Sequence, residues 1–161
     1  VLLIDGDMRK GHLHEYFGVG RRPGLSEVIS GDAKPSEALH VIGEYFEFLP
    51  TGTLPPNPAE LLMSERFKRL LDAFSERYDL VLMDTPPILA VTDGGIIARH
   101  AGTNFTVLKA GQHPLREINA ALKHFERVGV RPDGFVMNAV TRSQNRYGQY
   151  GQYYYHYAYG K

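Results

Sequence analysis

Two acid-tipped apolar segments hold the chemistry most directly readable in this chain. The first is Leu2-Leu3-Ile4-Asp5-Gly6-Asp7-Met8-Arg9, three apolar residues running into two carboxylates and a guanidinium. An apolar run of this kind forms a buried strand, and open α/β sheets bind their ligands beyond the C-terminal ends of such strands. Carboxylates spaced two apart in an extended segment point to the same side. They suit Mg²⁺, which prefers hard oxygen donors, or the removal of a proton from a hydroxyl nucleophile. Arg9 is placed to neutralise one acid or to meet phosphate oxygens. The plainer alternative for this motif alone is a strand end with a polar turn and a surface ion pair.

The second segment is Val81-Leu82-Met83-Asp84-Thr85-Pro86-Pro87. Apolar residues followed by an acid match the metal-side strand of phosphate-loop nucleotidases, whose Asp holds Mg²⁺. The two prolines stop the strand and fix the turn beyond it. A buried strand that happens to end in Asp is the alternative, but two such ends in one short domain favour a metal–nucleotide site. The phosphate loop, Gly-x4-Gly-Lys-Ser/Thr, is missing from the sequence. Gly6 and Gly11 have the glycine spacing, yet His12-Leu13 stand where Lys-Ser/Thr belong, so they do not form a phosphate cradle. Because the chain opens inside a strand, the expectation is that the loop lies upstream in a longer protein; otherwise the chain is no nucleotidase. His12 and His14 would not converge on one metal from a helix, and His100, His113 and His124 are scattered.

These motifs require strands to carry them. Val1–Ile4 and Leu80–Met83 are unbroken apolar runs, as in parallel strands buried on both faces, and Tyr45–Leu49, Phe105–Leu108 and Phe135–Met137 are similar. Helical patterns lie between them. Asn57-Pro58-Ala59-Glu60 reads as a helix start, with Asn as the cap and Pro at the first helical position. Phe67, Leu70, Leu71 and Phe74 form one apolar stripe, and Leu115, Ile118, Leu122 and Phe125 form another that Gly129 is placed to end. The charges of Glu65, Lys68, Arg69 and Asp72 mark a solvated helix face. Alternating strands and helices predict an α/β domain with a mostly parallel sheet flanked by helices.

Composition narrows the function. The 161 residues carry 18 basic and 18 acidic side chains, so there is no basic excess of the kind that nucleic-acid binding needs. No cysteine is present, which excludes disulfides, thiolate nucleophiles and Cys-based zinc sites. Seven of the ten tyrosines fall in the last fifteen residues: Tyr147, Tyr150, Tyr153, Tyr154, Tyr155, Tyr157 and Tyr159. That stretch has no Leu, Ile, Val, Phe or acid and cannot build a core of its own, so an exposed, mobile tail is expected over residues 145–161 behind a domain of residues 1–144. From Ala139 onward 23 residues remain, a reach of up to about 75 Å when extended. Alternating Tyr153, Tyr155, Tyr157 and Tyr159 would share one face of a strand, which also suits a binding or aggregation element without phosphate chemistry.

Together these residues resemble the cytoplasmic domain of bacterial tyrosine kinases, the autokinases that control polymerisation and export of capsular and exopolysaccharide. Leu2–Arg9 is similar to the family's second phosphate-site motif and Val81–Pro87 to its metal-binding motif. Gly24-Leu25-Ser26, the Gly52–Leu62 stretch and the terminal tyrosine cluster also resemble it. Each apolar-Asp motif alone is shared with the partitioning and cell-division ATPases of ParA and MinD type. The first phosphate-loop motif of the family is the part this chain lacks.

The resemblance implies a phosphate-loop nucleotidase fold without its N-terminal loop portion, and ATP and Mg²⁺ as cofactors. It implies Asp5 as general base and metal ligand, Asp7 as catalytic partner and Mg²⁺ ligand, and Asp84 as Mg²⁺ ligand through water. Arg9 and Asn138 would contact the nucleotide, Asn138 near adenine, and the tail tyrosines would accept phosphate. It also implies a homo-oligomer with tails docked in neighbouring sites. A transmembrane chain-length domain, in the same chain or in a separate activator, would hold it at the cytoplasmic face of the inner membrane. A fragment without the loop is expected to bind nucleotide weakly or not at all. Two other readings stay open: a partitioning-type ATPase acting on water, and a non-catalytic interaction domain with a tyrosine-rich tail.

Overall fold

The structure is a computed structural model, and it describes residues 1–140. The expected tyrosine tail and the boundary after residue 144 lie outside the described residues. In chain order the elements are β1 (Leu2–Asp5), α1 (Leu13–Phe17), α2 (Leu25–Ser30), α3 (Pro35–Ala38), β2 (His40–Gly43) and β3 (Phe46–Leu49). They continue with α4 (Pro58–Leu62), α5 (Glu65–Arg77), β4 (Val81–Asp84), α6 (Asp93–Ala98), β5 (Phe105–Lys109), α7 (Leu115–Arg127) and β6 (Gly134–Asn138).

All five expected strands form, and the α/β class holds. The strands divide into a four-stranded sheet of order β2-β3-β1-β4 and a separate β5-β6 pair. β1 runs parallel to β3 and β4, and β5 runs parallel to β6. β2 is a sixth strand that the sequence pattern did not reveal, and it runs antiparallel to β3. It is only four residues long and alternates half-buried with exposed positions. It exists through hairpin pairing more than through any apolar run of its own, and Tyr45, assigned to the following strand from sequence, sits 78% exposed in the turn between them.

β1 lies between two neighbours, so Leu2 and Ile4 are fully buried. They meet Met8, Leu25, Ile29, Leu49, Leu62, Phe67, Phe74 and Ile97 in one apolar cluster. β4 departs from the sequence expectation of a strand buried on both faces. It forms an edge of its sheet; Val81 and Met83 pack on the core, while Leu82 on the opposite face is 47% exposed.

The helix expected from Asn57 is two helices. The Asn57 side chain makes no capping bond to a backbone amide and instead donates to the Glu60 carboxylate. The chain breaks at Met63-Ser64, where the Ser64 hydroxyl accepts from Phe67 N–H at 3.2 Å and starts α5 afresh. Phe67, Leu70 and Phe74 of the expected stripe are buried. On α7 the stripe is only partly used: Phe125 and Ala121 are buried, and Leu115 is 76% exposed. Gly129 ends α7 as expected, in the left-handed region at φ 76°.

Candidate active site

Parallel pairing of β1 with β4 sets Asp5 directly beside Asp84. The backbones stay close beyond the ladder, since Gly6 N–H donates to the Asp84 carbonyl at 2.9 Å. A Cβ built on Gly6 would lie 2.6 Å from that same carbonyl oxygen, so only glycine permits the approach. Asp5 is fully buried. Its Oδ1 accepts from Asp7 N–H at 3.2 Å, and its Oδ2 accepts from Leu13 N–H, at the start of α1, at 3.1 Å.

β1 ends at Asp5, so the two acids do not share the side of one extended strand. Asp7 reaches the site because the chain curls around Asp5. Its Oδ1 then accepts from Arg9 N–H at 3.0 Å and Lys10 N–H at 2.9 Å, which leaves Oδ2 without a hydrogen-bond partner among the described residues. Gly11 closes this curl by donating to the Asp7 carbonyl at 2.7 Å. A Cβ there would fall 1.9 Å from Thr51 Oγ1 and 2.8 Å from Asp5 Oδ1. The glycine spacing that suggested a phosphate loop therefore serves close packing around Asp5.

The charges respond to this crowding. Burial pushes the Asp84 carboxyl above its usual range, and the negative charges of Asp5 and Asp7 push it further; a Thr85 backbone hydrogen bond and His12 partly offset them. His12 is pushed up in turn, first by its Nδ1–H bond to the Lys10 carbonyl at 2.8 Å and then by Glu15, Asp5 and Asp7. Sequence spacing gave His12 no role; only the curl brings its ring within the field of the acids.

The other assigned residues sit differently. Arg9 turns its guanidinium onto Asp93, a buried acid at the start of α6 that the motifs did not single out. Its one sequence signal was being a lone charge within Ile88–Ile97, an otherwise uncharged stretch. Two of the five guanidinium N–H groups are used there, and among the described residues the others meet no acceptor. Asn138 ends β6, on the other sheet from the acids, opposite Lys109 of β5, and its Oδ1 accepts from Ala139 N–H at 2.7 Å. The structure thus gathers Asp5, Asp7 and Asp84, directs Arg9 to Asp93 and puts Asn138 on a different sheet. The tyrosines from Tyr147 to Tyr159 fall outside the described residues.

Among the described residues no three His, Cys, Asp or Glu side chains form a cage able to hold a metal by themselves. Mg²⁺ rarely uses one: it keeps several waters and takes one or two carboxylates together with substrate phosphates. A half-buried Asp7 with a free oxygen, and an Asp84 whose charge the neighbouring acids disfavour, fit that donor set. Among the described residues no helix is long and apolar enough to cross a membrane.

No protein-family model matches the chain. The tyrosine-protein kinase wzc of Salmonella typhimurium is 45% identical over 163 residues, covering 98% of this chain and 22% of its own. The chain thus spans about a fifth of the length of the curated relatives it matches. The solved kinase domain of Escherichia coli tyrosine kinase ETK aligns at TM-score 0.83 and 36% identity, over 88% of this chain and 56% of that one. The VpsO kinase domain aligns at TM-score 0.81 and 30% identity, over 87% and 70%. A more distant likeness shows the fold alone: the septum site-determining protein MinD of Pyrococcus horikoshii, solved with Mg-ADP, matches at TM-score 0.65 and 20% identity over 84% of this chain and 56% of its own. With such identity running nearly end to end and the same fold in solved kinase domains, the chain belongs to the family of bacterial tyrosine-protein kinases, within a kinase domain of the phosphate-loop nucleotidase fold.

Proposed function

We propose that this chain supplies the acidic half of a Mg-ATP-dependent tyrosine autokinase that regulates capsular or exopolysaccharide polymerisation and export. The observation that carries the reading is the pairing of Asp5 with Asp84, with Asp7 curled over them, at the ends of two parallel strands. Mg²⁺, when bound with ATP, would neutralise phosphate charge as transfer proceeds. Asp84 and Asp7 are the residues that would hold it, Asp84 through water. A tyrosine hydroxyl titrates near pH 10 and needs a base at neutral pH. Asp5 and Asp7 share that task in this reading. Asp7 Oδ2 is the accessible proton acceptor, and the buried Asp5 supplies charge from behind and holds the curl. Arg9 offers its free guanidinium edge to phosphate, and Asn138 meets the base of the nucleotide.

The phosphate loop and the membrane-spanning partner lie outside this chain in the proposal, and without the loop the 161 residues alone bind nucleotide weakly. Tyr147, Tyr150, Tyr153, Tyr154, Tyr155, Tyr157 and Tyr159 are the acceptors, presented to neighbouring copies in a homo-oligomer at the cytoplasmic face of the membrane. The test is phosphotyrosine mass spectrometry on the longest natural chain that carries this sequence, incubated with Mg-ATP. Phosphate on residues 147–159, lost in Asp84→Asn and Asp7→Asn, is the expected result. ATP hydrolysis without phosphotyrosine would instead mark a partitioning-type ATPase, and neither activity would mark an interaction domain.

A further inference from the structure

Asp93 is a buried charge that the proposed chemistry leaves unused. Its carboxylate is fully buried at the first residue of α6, 84 positions along the chain from its partner. One guanidinium takes both oxygens: Arg9 Nε donates to Oδ2 at 2.8 Å and Nη2 to Oδ1 at 3.0 Å. Desolvating a carboxylate is expensive, and apolar pairs often hold a fold as well as a buried ion pair does, so stability alone is a weak reason for this arrangement. What the pair does supply is direction. A two-bond fork fixes the plane and the distance of the guanidinium in a way that an ammonium does not.

The fixed residue is the one that shapes the acidic curl. The backbone N–H groups of Arg9 and Lys10 are the two donors on Asp7 Oδ1. Tying the Arg9 side chain to α6 therefore holds the two amides that orient Asp7. α6 is in turn packed on the Asp84 side of the site. A Cβ on its Gly94 would stand 3.2 Å from the Pro86 carbonyl, and one on Gly6 would stand 3.2 Å from Ile97 Cδ1. The ion pair thus links the loop bearing Asp7 to the helix that follows the loop bearing Asp84. We propose that Asp93 is a positioning residue: acting through Arg9, it holds the Asp7 carboxylate in place relative to Asp84. The kinetic half of this inference rests on the kinase reading above; the structural half does not.

Two measurements test it separately. In the 161-residue chain, Asp93→Asn and Arg9→Lys are expected to speed amide hydrogen exchange at Arg9 and Lys10 by about tenfold or more, while exchange in β6 is unchanged. In the longest natural chain carrying this sequence, Asp93→Asn, which leaves every group assigned to substrate in place, is expected to lower kcat for autophosphorylation about tenfold or more, with KM for ATP held within about threefold. A folded Asp93→Asn whose kcat stays within about twofold, or a folded variant whose Arg9 and Lys10 amides exchange as before, overturns the proposal. If Asp93→Asn fails to fold by circular dichroism, the amide exchange of Arg9→Lys decides, because that variant keeps the charge and loses the two-bond fork on Asp93. Absence of autophosphorylation in the unaltered protein sinks the kinase reading instead, and the exchange rates alone then judge whether Asp93 holds the curl.

Discussion

Asp84 carries a charge that folding makes harder to hold. Its folded pKa lies above the ordinary 3.8, so the fold favours the protonated form. Stability is therefore gained as pH falls through the raised value and lost as pH rises past it. Asp84→Asn is expected to raise the melting temperature at pH 7 and, on the proposed kinase reading, to lower Mg-dependent autophosphorylation of the longest natural chain on the order of a hundredfold or more, the exchange of stability for function seen at charged sites. A scanning melt beside an activity assay checks both arms; an unchanged or lower melting point refutes the electrostatic account. Glu27 has the opposite sign. Burial pushes its carboxyl up, but hydrogen bonds from Thr53 Oγ1 at 2.5 Å, Thr53 N–H and Gly24 N–H outweigh it and bring the pKa from 4.5 down to about 2. The stability it contributes is complete above pH 4.5 and disappears as pH falls toward 2. Glu27→Gln is expected to cost about 1–2 kcal/mol at pH 7 and to flatten acid unfolding across that window, as urea titrations at successive pH values would record.

The acidic strand ends depend on elements whose packing admits few changes. Gly6→Ala places a methyl 2.6 Å from the Asp84 carbonyl and must part β1 from the turn after β4. A loss of about 1–3 kcal/mol is expected, together with exchange of the Gly6–Asp84 hydrogen bond at near-solvent rates. Wild-type stability in the alanine variant would mean that the approach is not as close as described. Ser64→Ala removes the hydroxyl that starts α5 and should cost about 1 kcal/mol by thermal melt, since the Phe67 amide loses its partner. Of the elements around these two sites, the buried face of α5 was legible in advance. The stripe of Phe67, Leu70 and Phe74 marked a core face correctly, because helical periodicity is local. The break at Ser64 was not legible, because a helix-compatible sequence runs through it and the choice of cap follows from how α4 and α5 each meet the core. The same holds for β2, which takes its strand form from pairing with β3.

At the scale of the whole molecule, the proposed kinase reading connects the site to the tail through charge. Each phosphate adds about −1.5 to −2 charges, so seven would add roughly −10 to −14 to a chain whose formal charge is zero. In the proposed oligomer, phosphorylated tails facing Asp5, Asp7 and Asp84 of a neighbour would be repelled once metal and nucleotide leave. The expected outcome is a shift from oligomer to monomer on autophosphorylation, reversed by a phosphatase. Light scattering of both forms at low salt measures it, and equal masses would sink the switch.

Apolar runs ending in acids specified β1 and β4 and named the three aspartates, because strand burial and polar termination are written in adjacent residues. With no cysteine in the sequence, composition by itself removed thiol and disulfide chemistry. Only the tertiary structure put Asp5 beside Asp84, since strand register depends on residues 79 positions apart in the chain. It alone showed that Asp7 arrives by a curl, that His12 lies in the field of the acids, and that Arg9 answers to Asp93. Those relations join segments through space, and a buried charge finds its partner by the shape of the folded core, which no local pattern encodes.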